Sequence, residues 1–157
     1  MRPTILALDL EGTLISNAVS QIPRPELLSF LQFARDAFKE VVLFTTVPKP
    51  SALKIASLLA SEGHVPQWFA EVRYIDWTGS TKNLLLVSPQ LGEALLLDDH
   101  EPYVHPGQHA LWVEAPLFAS PYPAEDAGMR ISQRRIEQRL SLLSSSRSEP
   151  PAPNHLS

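Results

Sequence analysis

Three short apolar runs in this 157-residue chain end in side chains that can do chemistry. The run beginning at Ile5 ends in Asp9, with Glu11 and Thr13 close behind. The run beginning at Val41 ends in Thr45-Thr46, and the run beginning at Ala94 ends in Asp98-Asp99. Lys82 lies between the second and third. Each has an ordinary explanation when taken singly: Asp9 as a turn former before Gly12, Asp98-Asp99 as a solvated loop, Thr45 as a β-branched strand residue, Lys82 as a surface lysine. Together they meet one chemical requirement. A carboxylate can serve as nucleophile, a hydroxyl and an ammonium can hold phosphate oxygens, and further carboxylates can bind a hard cation such as Mg²⁺. The chain has no cysteine, so a thiol nucleophile and a thiolate metal site are excluded. A zinc site built on His100, His105 and His109 is rejected as well. Pro106-Gly107 separates the last two, which therefore share no helical face, and no cysteine can complete a set.

The elements that must position these residues follow from hydrophobic periodicity. Five β-like runs cover residues 4–9, 41–45, 71–75, 94–98 and 109–114, several of them apolar on consecutive residues, as in strands buried on both faces. Residues 25–39 carry Leu27, Leu28, Leu31, Phe33, Ala34 and Phe38 at helical spacing. Residues 51–62 carry Leu53, Ile55, Ala56, Leu58 and Leu59 and end at Gly63. A third, shorter helix is expected from about Thr81 through Leu84, Leu85 and Val87, stopped by Ser88-Pro89. Alternation of strand and helix predicts an open, mostly parallel sheet with helices on both faces. In such sheets ligands bind outside the carboxyl ends of the strands, where both acidic clusters and the threonine pair fall.

Hydrophobic residues make up 44% of the chain and charged residues 19%, enough apolar surface for one packed domain. We place that domain at residues 1–143, including a helix at about 125–143 with an apolar stripe of Met129, Ile131, Ile136, Leu140 and Leu143. Arg130, Arg134, Arg135 and Arg139 lie on its polar side, read as a solvated face ahead of a phosphate- or partner-binding stripe. Residues 144–157 are Ser/Pro-rich and aperiodic, which predicts a disordered tail. No apolar run approaches the roughly 18–20 residues of a membrane span, and the first is too short for a secretion signal. These features predict a cytoplasmic protein without membrane contact. A net charge of −4 argues against nucleic acid as a partner.

With these residues in view, the sequence resembles the haloacid dehalogenase-like (HAD) phosphohydrolase superfamily, whose first motif is Asp-x-Asp-x-Thr after an apolar strand. This chain reads Asp9-Leu10-Glu11-Gly12-Thr13. The likeness is greatest to the NLI-interacting-factor-like branch, which includes phosphatases of the RNA polymerase carboxy-terminal domain. Arg24-Pro25-Glu26-Leu27-Leu28-Ser29-Phe30-Leu31 resembles the Arg-Pro-Gly-x-x-x-Phe-Leu of that branch. Val41-Val42-Leu43-Phe44-Thr45, Thr81-Lys82-Asn83-Leu84 and Leu96-Leu97-Asp98-Asp99-His100-Glu101-Pro102 resemble its second, third and fourth motifs. Order and spacing are matched over roughly residues 4–115.

The resemblance implies a HAD-like Rossmannoid three-layer fold with no large cap domain, and a Mg²⁺-dependent phosphatase. Asp9 would be the nucleophile that forms an aspartyl-phosphate, and Glu11 the acid/base. Thr45, Thr46 and Lys82 would bind the phosphoryl group. Asp9, Asp98 and Asp99, with the backbone carbonyl of Glu11, would hold the metal. Most of the superfamily has Asp where Glu11 stands, whereas enolase-phosphatases of methionine salvage resemble this chain in reading Asp-x-Glu-Gly-Thr.

Substrate class turns on the lid. Asp9 to Thr45 is 36 positions and Thr45 to Lys82 is 37, room for one helix in each interval and no inserted cap. A lidless site accepts a bulky phosphorylated substrate such as a phosphoprotein, or borrows a lid from a second subunit. Trp68, Phe69, Tyr74 and Trp77 could frame its entrance or simply pack in the core. Two other readings stand beside the phosphatase: a catalytically weak HAD-like protein-binding module, and a polynucleotide end phosphatase.

Overall fold

A computed structural model describes residues 2–148. Five parallel strands, β1 (Ile5–Leu8), β2 (Glu40–Leu43), β3 (Arg73–Tyr74), β4 (Ala94–Asp98) and β5 (Trp112–Glu114), form one sheet in the order β3-β2-β1-β4-β5. Every residue of β1 and β4 is buried, which explains why these strands read as unbroken apolar runs. The chain moves outward from β1 to β2 and β3 and then returns to the other side of β1 for β4. This reversal leaves a crevice at the carboxyl ends of β1 and β4. Leu8 lies opposite Leu43 on one side and Leu97 on the other, so the next residues, Asp9, Phe44 and Asp98, leave the sheet at one level.

Helix α1 (Leu27–Ala37) follows β1 and buries Leu27, Phe30, Leu31 and Ala34, an i, i+3, i+4, i+7 stripe. Helix α2 (Lys49–Ser61) follows β2, starts with Pro50 in its first turn and buries Ala52, Ile55, Ala56, Leu59 and Ala60. Helix α3 (Gly128–Ser148) follows β5 and packs on β5 and α1. The HAD-like Rossmannoid fold without a large cap that the sequence implies is the architecture observed.

Several expectations need correction. The helix expected from Thr81 is a single 3-10 turn, Leu84–Leu86. Asn83 caps it by accepting a hydrogen bond from the Leu85 N–H, and Leu85 and Leu86 stay about half exposed, so only Leu84 and Val87 have a core to reach. The strand expected over 109–114 begins at Trp112, because His109–Leu111 coils into another 3-10 turn. In α3 the buried side chains among the described residues are those of Met129, Ser132, Ile136 and Leu140, so Ser132 takes the inward place assigned to Ile131. This helix continues past Leu143 to Ser148, through the start of the expected tail; residues 149–157 lie outside the described residues. Nor are its arginines simply solvated. Arg135 donates to the Glu114 carbonyl at 2.8 Å, and Arg139 donates to those of Ala110 at 2.7 Å and Trp112 at 2.8 Å, two of them on β5 and one in the turn before it. Among the described residues no helix is long and apolar enough to cross a membrane.

Candidate active site

The carboxyl ends of β1 and β4 and the segment before the Leu84 turn converge on one buried charge cluster. Asp9 is 4% exposed, Asp98 and Lys82 are fully buried, and Asp99 is partly buried. The Lys82 ammonium donates to Asp9 Oδ1 at 3.0 Å and to Asp98 Oδ2 at 2.5 Å, and it sits 4.9 Å from the centre of the Tyr103 ring. Its backbone is fixed as well, since the Lys82 N–H donates to the Tyr103 carbonyl. On the other side of Asp9, the Thr13 hydroxyl lies 2.9 Å from Asp9 Oδ2 and 3.1 Å from Asp99 Oδ1 and can donate to either. Asp98 is oriented by the His100 N–H, which donates to its Oδ1 at 2.9 Å.

The turn that brings Thr13 back toward Asp9 depends on Gly12. Its φ of +75° lies in the left-handed region, and a Cβ there would come 3.1 Å from Asp99 Oδ2 and 3.0 Å from Leu117 Cδ1. Any side chain at this position would push on the carboxylate it approaches.

Charge in the cluster does not balance. Three carboxylates face one ammonium, in a place where water is largely excluded. Burial pushes the Asp9 carboxyl well above the usual carboxylate range; Lys82 opposes this, and the charges of Asp98 and Asp99 add to it. Asp98 is pushed up by burial too, against the pull of Lys82 and the His100 N–H. Lys82 is penalised by burial, yet the two aspartates hold its pKa above the ordinary lysine value. One oxygen each from Asp9, Asp98 and Asp99 lies within 4.8 Å of the others, a hard-oxygen set of the kind that holds a divalent cation. Donor chemistry and charge excess both fit such an ion.

Other site residues take separate places. Thr45 is buried one residue beyond the level of Asp9. Its Oγ1 accepts the Val47 N–H at 3.1 Å, which leaves its own hydroxyl hydrogen to donate elsewhere, and its carbonyl accepts from Trp77 Nε1 at 2.8 Å. Thr46 is exposed and, with Thr45, Tyr74 and Trp77, lines an open cavity of about 330 Å³. Tyr74, Trp77 and Gly79 also border a larger groove of about 600 Å³ whose far wall includes Asn83 and His105. Of the four aromatics considered for an entrance, Tyr74 and Trp77 line both cavities, whose walls do not include Asp9, Lys82, Asp98 or Asp99. Phe69 is fully buried against Trp68, whose ring carries the Arg35 guanidinium.

The Glu11 carboxylate is not part of the converging set. Its Oε2 accepts the Ala18 N–H at 2.6 Å, within the flap that follows the first motif. The metal contact that the resemblance assigns to Glu11 runs through its backbone carbonyl and does not depend on this side-chain direction. Thr13, by contrast, received no role from the sequence beyond its place in the motif. The signal was its spacing, four residues after Asp9 with Gly12 between.

No family model and no curated protein matches the sequence. Among solved structures, the chain is similar to fission yeast RNA polymerase II CTD phosphatase Fcp1, in a single-site variant bound to beryllium fluoride. The TM-score is 0.55 at 15% sequence identity, over 94% of this chain. The two share a fold. The chain spans about half, 53%, of that structure's length.

Proposed function

We propose that the chain is a lidless Mg²⁺-dependent phosphatase of HAD type, acting through an aspartyl-phosphate on Asp9, on a phosphoprotein or another bulky phosphomonoester in the cytoplasm. The observation that carries this reading is the buried convergence of Asp9, Asp98, Asp99 and Lys82 at the crevice of a parallel sheet, with carboxylates in excess. The fold shared with a phosphatase that binds beryllium fluoride, a phosphate mimic, supports it.

In this reading Asp9 attacks the phosphorus in line, and the bond from phosphorus to the leaving oxygen breaks. Glu11, released from Ala18, gives that oxygen a proton, then takes one from the water that cleaves the aspartyl-phosphate and frees inorganic phosphate. Lys82 and the hydroxyl of Thr45 hold phosphoryl oxygens, and Thr13 keeps Asp9 aimed. Asp9, Asp98, Asp99 and the Glu11 carbonyl would hold Mg²⁺, which supplies compensation for the negative charge of the phosphoryl group and the approaching carboxylate. The open groove beside Tyr74 and Trp77 gives a large substrate room without a cap.

The engagement of Glu11 with Ala18 favours a second reading, a HAD-like binding module with little turnover. One experiment separates them: hydrolysis of an aryl phosphate by wild type and Glu11→Ala, with Mg²⁺ and with chelator. A phosphatase shows Mg²⁺-dependent turnover that falls roughly 10²–10⁴-fold in Glu11→Ala. Negligible turnover in wild type would select the binding module. Equal turnover in both proteins would remove Glu11 from the mechanism while keeping the phosphatase.

A further inference from the structure

Arg24 is a second buried cation, and the site chemistry described above does not use it. Its side chain is fully buried and every contact it makes is specific. Nε donates to Asp126 Oδ2 at 2.7 Å and Nη2 to Asp126 Oδ1 at 3.3 Å, a two-pronged grip on one carboxylate. Nη1 donates to the carbonyls of Pro116 at 2.6 Å and Thr13 at 3.1 Å. The guanidinium carbon lies 5.2 Å from the centre of the Phe118 ring. Asp126 Oδ2 also accepts the Gly128 N–H at 3.0 Å, which fixes the start of α3. Close packing of Arg24 excludes a side chain at residue 128, where a Cβ would fall 1.8 Å from Nη2.

These contacts form a chain of connection into the candidate site. Arg24 holds the carbonyl of Thr13, the residue whose hydroxyl bridges Asp9 and Asp99. The segment fastened by Asp126 and Pro116 closes on the same turn from above, since the Phe118 N–H donates to the Gly12 carbonyl at 2.8 Å. Residues 10–14 thus have one wall from the sheet and another from a connection more than a hundred residues later in the sequence. Arg24 grips the latter at two points, Pro116 and Asp126, and the Phe118 N–H adds a third tie to the turn.

We infer that Arg24 and Asp126 are positioning residues, a clasp that sets the turn at Gly12-Thr13 and through it the mutual placement of Asp9 and Asp99. Neither residue touches the reacting atoms. If the clasp loosens, the Thr13 hydroxyl drifts and the two carboxylates no longer converge. The kinetic side of this inference rests on the phosphatase reading; the structural side does not.

The test compares wild type with Asp126→Asn, which keeps shape and loses the ionic grip, and with Arg24→Lys, which keeps charge and loses the fork. Amide hydrogen exchange, Mg²⁺ binding by calorimetry and aryl-phosphate kinetics are measured on the folded fraction at a temperature well below melting. In both variants the amides of Gly12, Leu14 and Ile15, which are hydrogen-bonded within the turn, should exchange about tenfold faster, while those of β4 stay protected. Mg²⁺ affinity and kcat should fall roughly 10–100-fold, the range typical of residues that orient metal ligands, with KM less affected. A lowered melting midpoint with unchanged exchange at residues 12–15 would overturn the inference and leave the pair as ordinary structural support. Faster exchange there with unaltered Mg²⁺ affinity and kcat would equally overturn it, by showing that the turn does not set the carboxylates. If wild type neither bound Mg²⁺ nor turned over, the phosphatase reading would fail, and the exchange data alone would still decide whether the clasp holds the turn.

Discussion

Lys82 and Arg24 are both completely buried, and they keep opposite company. Lys82 faces Asp9 and Asp98 with Asp99 close by, so its neighbourhood carries more negative charge than it can neutralise. Arg24 faces one carboxylate and two carbonyls, so four of its five N–H groups meet acceptors and its charge is balanced by one partner. Burial of a matched ion pair costs desolvation that good geometry roughly offsets, whereas burial of surplus like charge has no such compensation. A fold keeps such surplus only where something else completes it, such as a metal ion or an incoming substrate. In the proposed reading the imbalance at Lys82 belongs to the site, and the balance at Arg24 belongs to the frame around it.

The largest effect expected from this contrast is on rate. Asp9→Asn keeps shape but removes the nucleophile, and turnover should fall by roughly 10³-fold or more. Because the same change removes one surplus negative charge, the metal-free variant should also melt higher than wild type, by about 2–4 °C for about 1 kcal/mol in a chain of this size. A variant that lost activity and melted lower would show that the cluster is not over-charged after all. Next in size is Lys82→Met, which leaves Asp9 and Asp98 facing each other without a cation. Stability at neutral pH should drop by about 3–5 kcal/mol, read by urea titration, and Mg²⁺ should restore part of it.

Acid should separate the two regions by sign. Asp9 and Asp98 have raised folded-state pKa values, so ionising them costs stability at neutral pH, and the cost is relieved as pH falls from those raised values toward the ordinary value of about 3.9. Asp126 behaves the other way. Burial alone would raise its pKa, but the Arg24 hydrogen bond, the Gly128 N–H and the Arg24 charge hold it below the ordinary value. Its contribution is present above about 3.9 and is lost as pH falls through the lowered folded value. Metal-free wild type should therefore gain stability on mild acidification and lose it below about pH 4. Melting curves across pH should show a weakened first limb in Asp9→Asn, where only Asp98 still contributes to it, and a weakened second limb in Asp126→Asn.

The smallest effect concerns the frame alone. Glu26, two residues after Arg24, precedes α1 with φ of +68°, a backbone region that favours glycine, and its Oε2 pairs with exposed Arg130. Glu26→Gly should stabilise the protein by about 0.5–1 kcal/mol, since an exposed ion pair is worth less than the strain relieved. Aryl-phosphate turnover should not change. A loss of stability would mean that the Glu26–Arg130 pair matters more than its exposure suggests.

The Glu26 position also shows what was legible in the sequence. Glycine stands at the corresponding place in the resembling Arg-Pro-Gly motif, but that the position is left-handed emerges only from the structure. Strands β1 and β4 were legible because burial on both faces writes consecutive apolar residues, and with them came Asp9, Asp98 and Asp99 at their carboxyl ends. Lys82 was legible as a cation for the crevice, although the spurious helix after it was not resisted by the sequence; Leu84, Leu85 and Leu86 look helical until it is known that only one of them has a core to enter. The clasp was hidden for a different reason. Arg24 and Asp126 are 102 positions apart, and nothing local to either identifies the other. The engagement of the Glu11 carboxylate with the Ala18 N–H is decided by the flap's backbone, which side-chain spacing does not record.

The arginines of α3 have a consequence for how the molecule behaves in company. An outermost strand offers a row of unpaired peptide groups to any extended chain, and this is how sheets grow across molecules. On β5 two carbonyls of that row are occupied, Trp112 accepting from Arg139 and Glu114 from Arg135, and Arg139 also holds the Ala110 carbonyl in the turn just before the strand. A foreign strand would have to displace these two charge-assisted bonds to pair with the outward carbonyls of β5. The β5 edge of the sheet is thus guarded against strand addition by the helix that packs beside it.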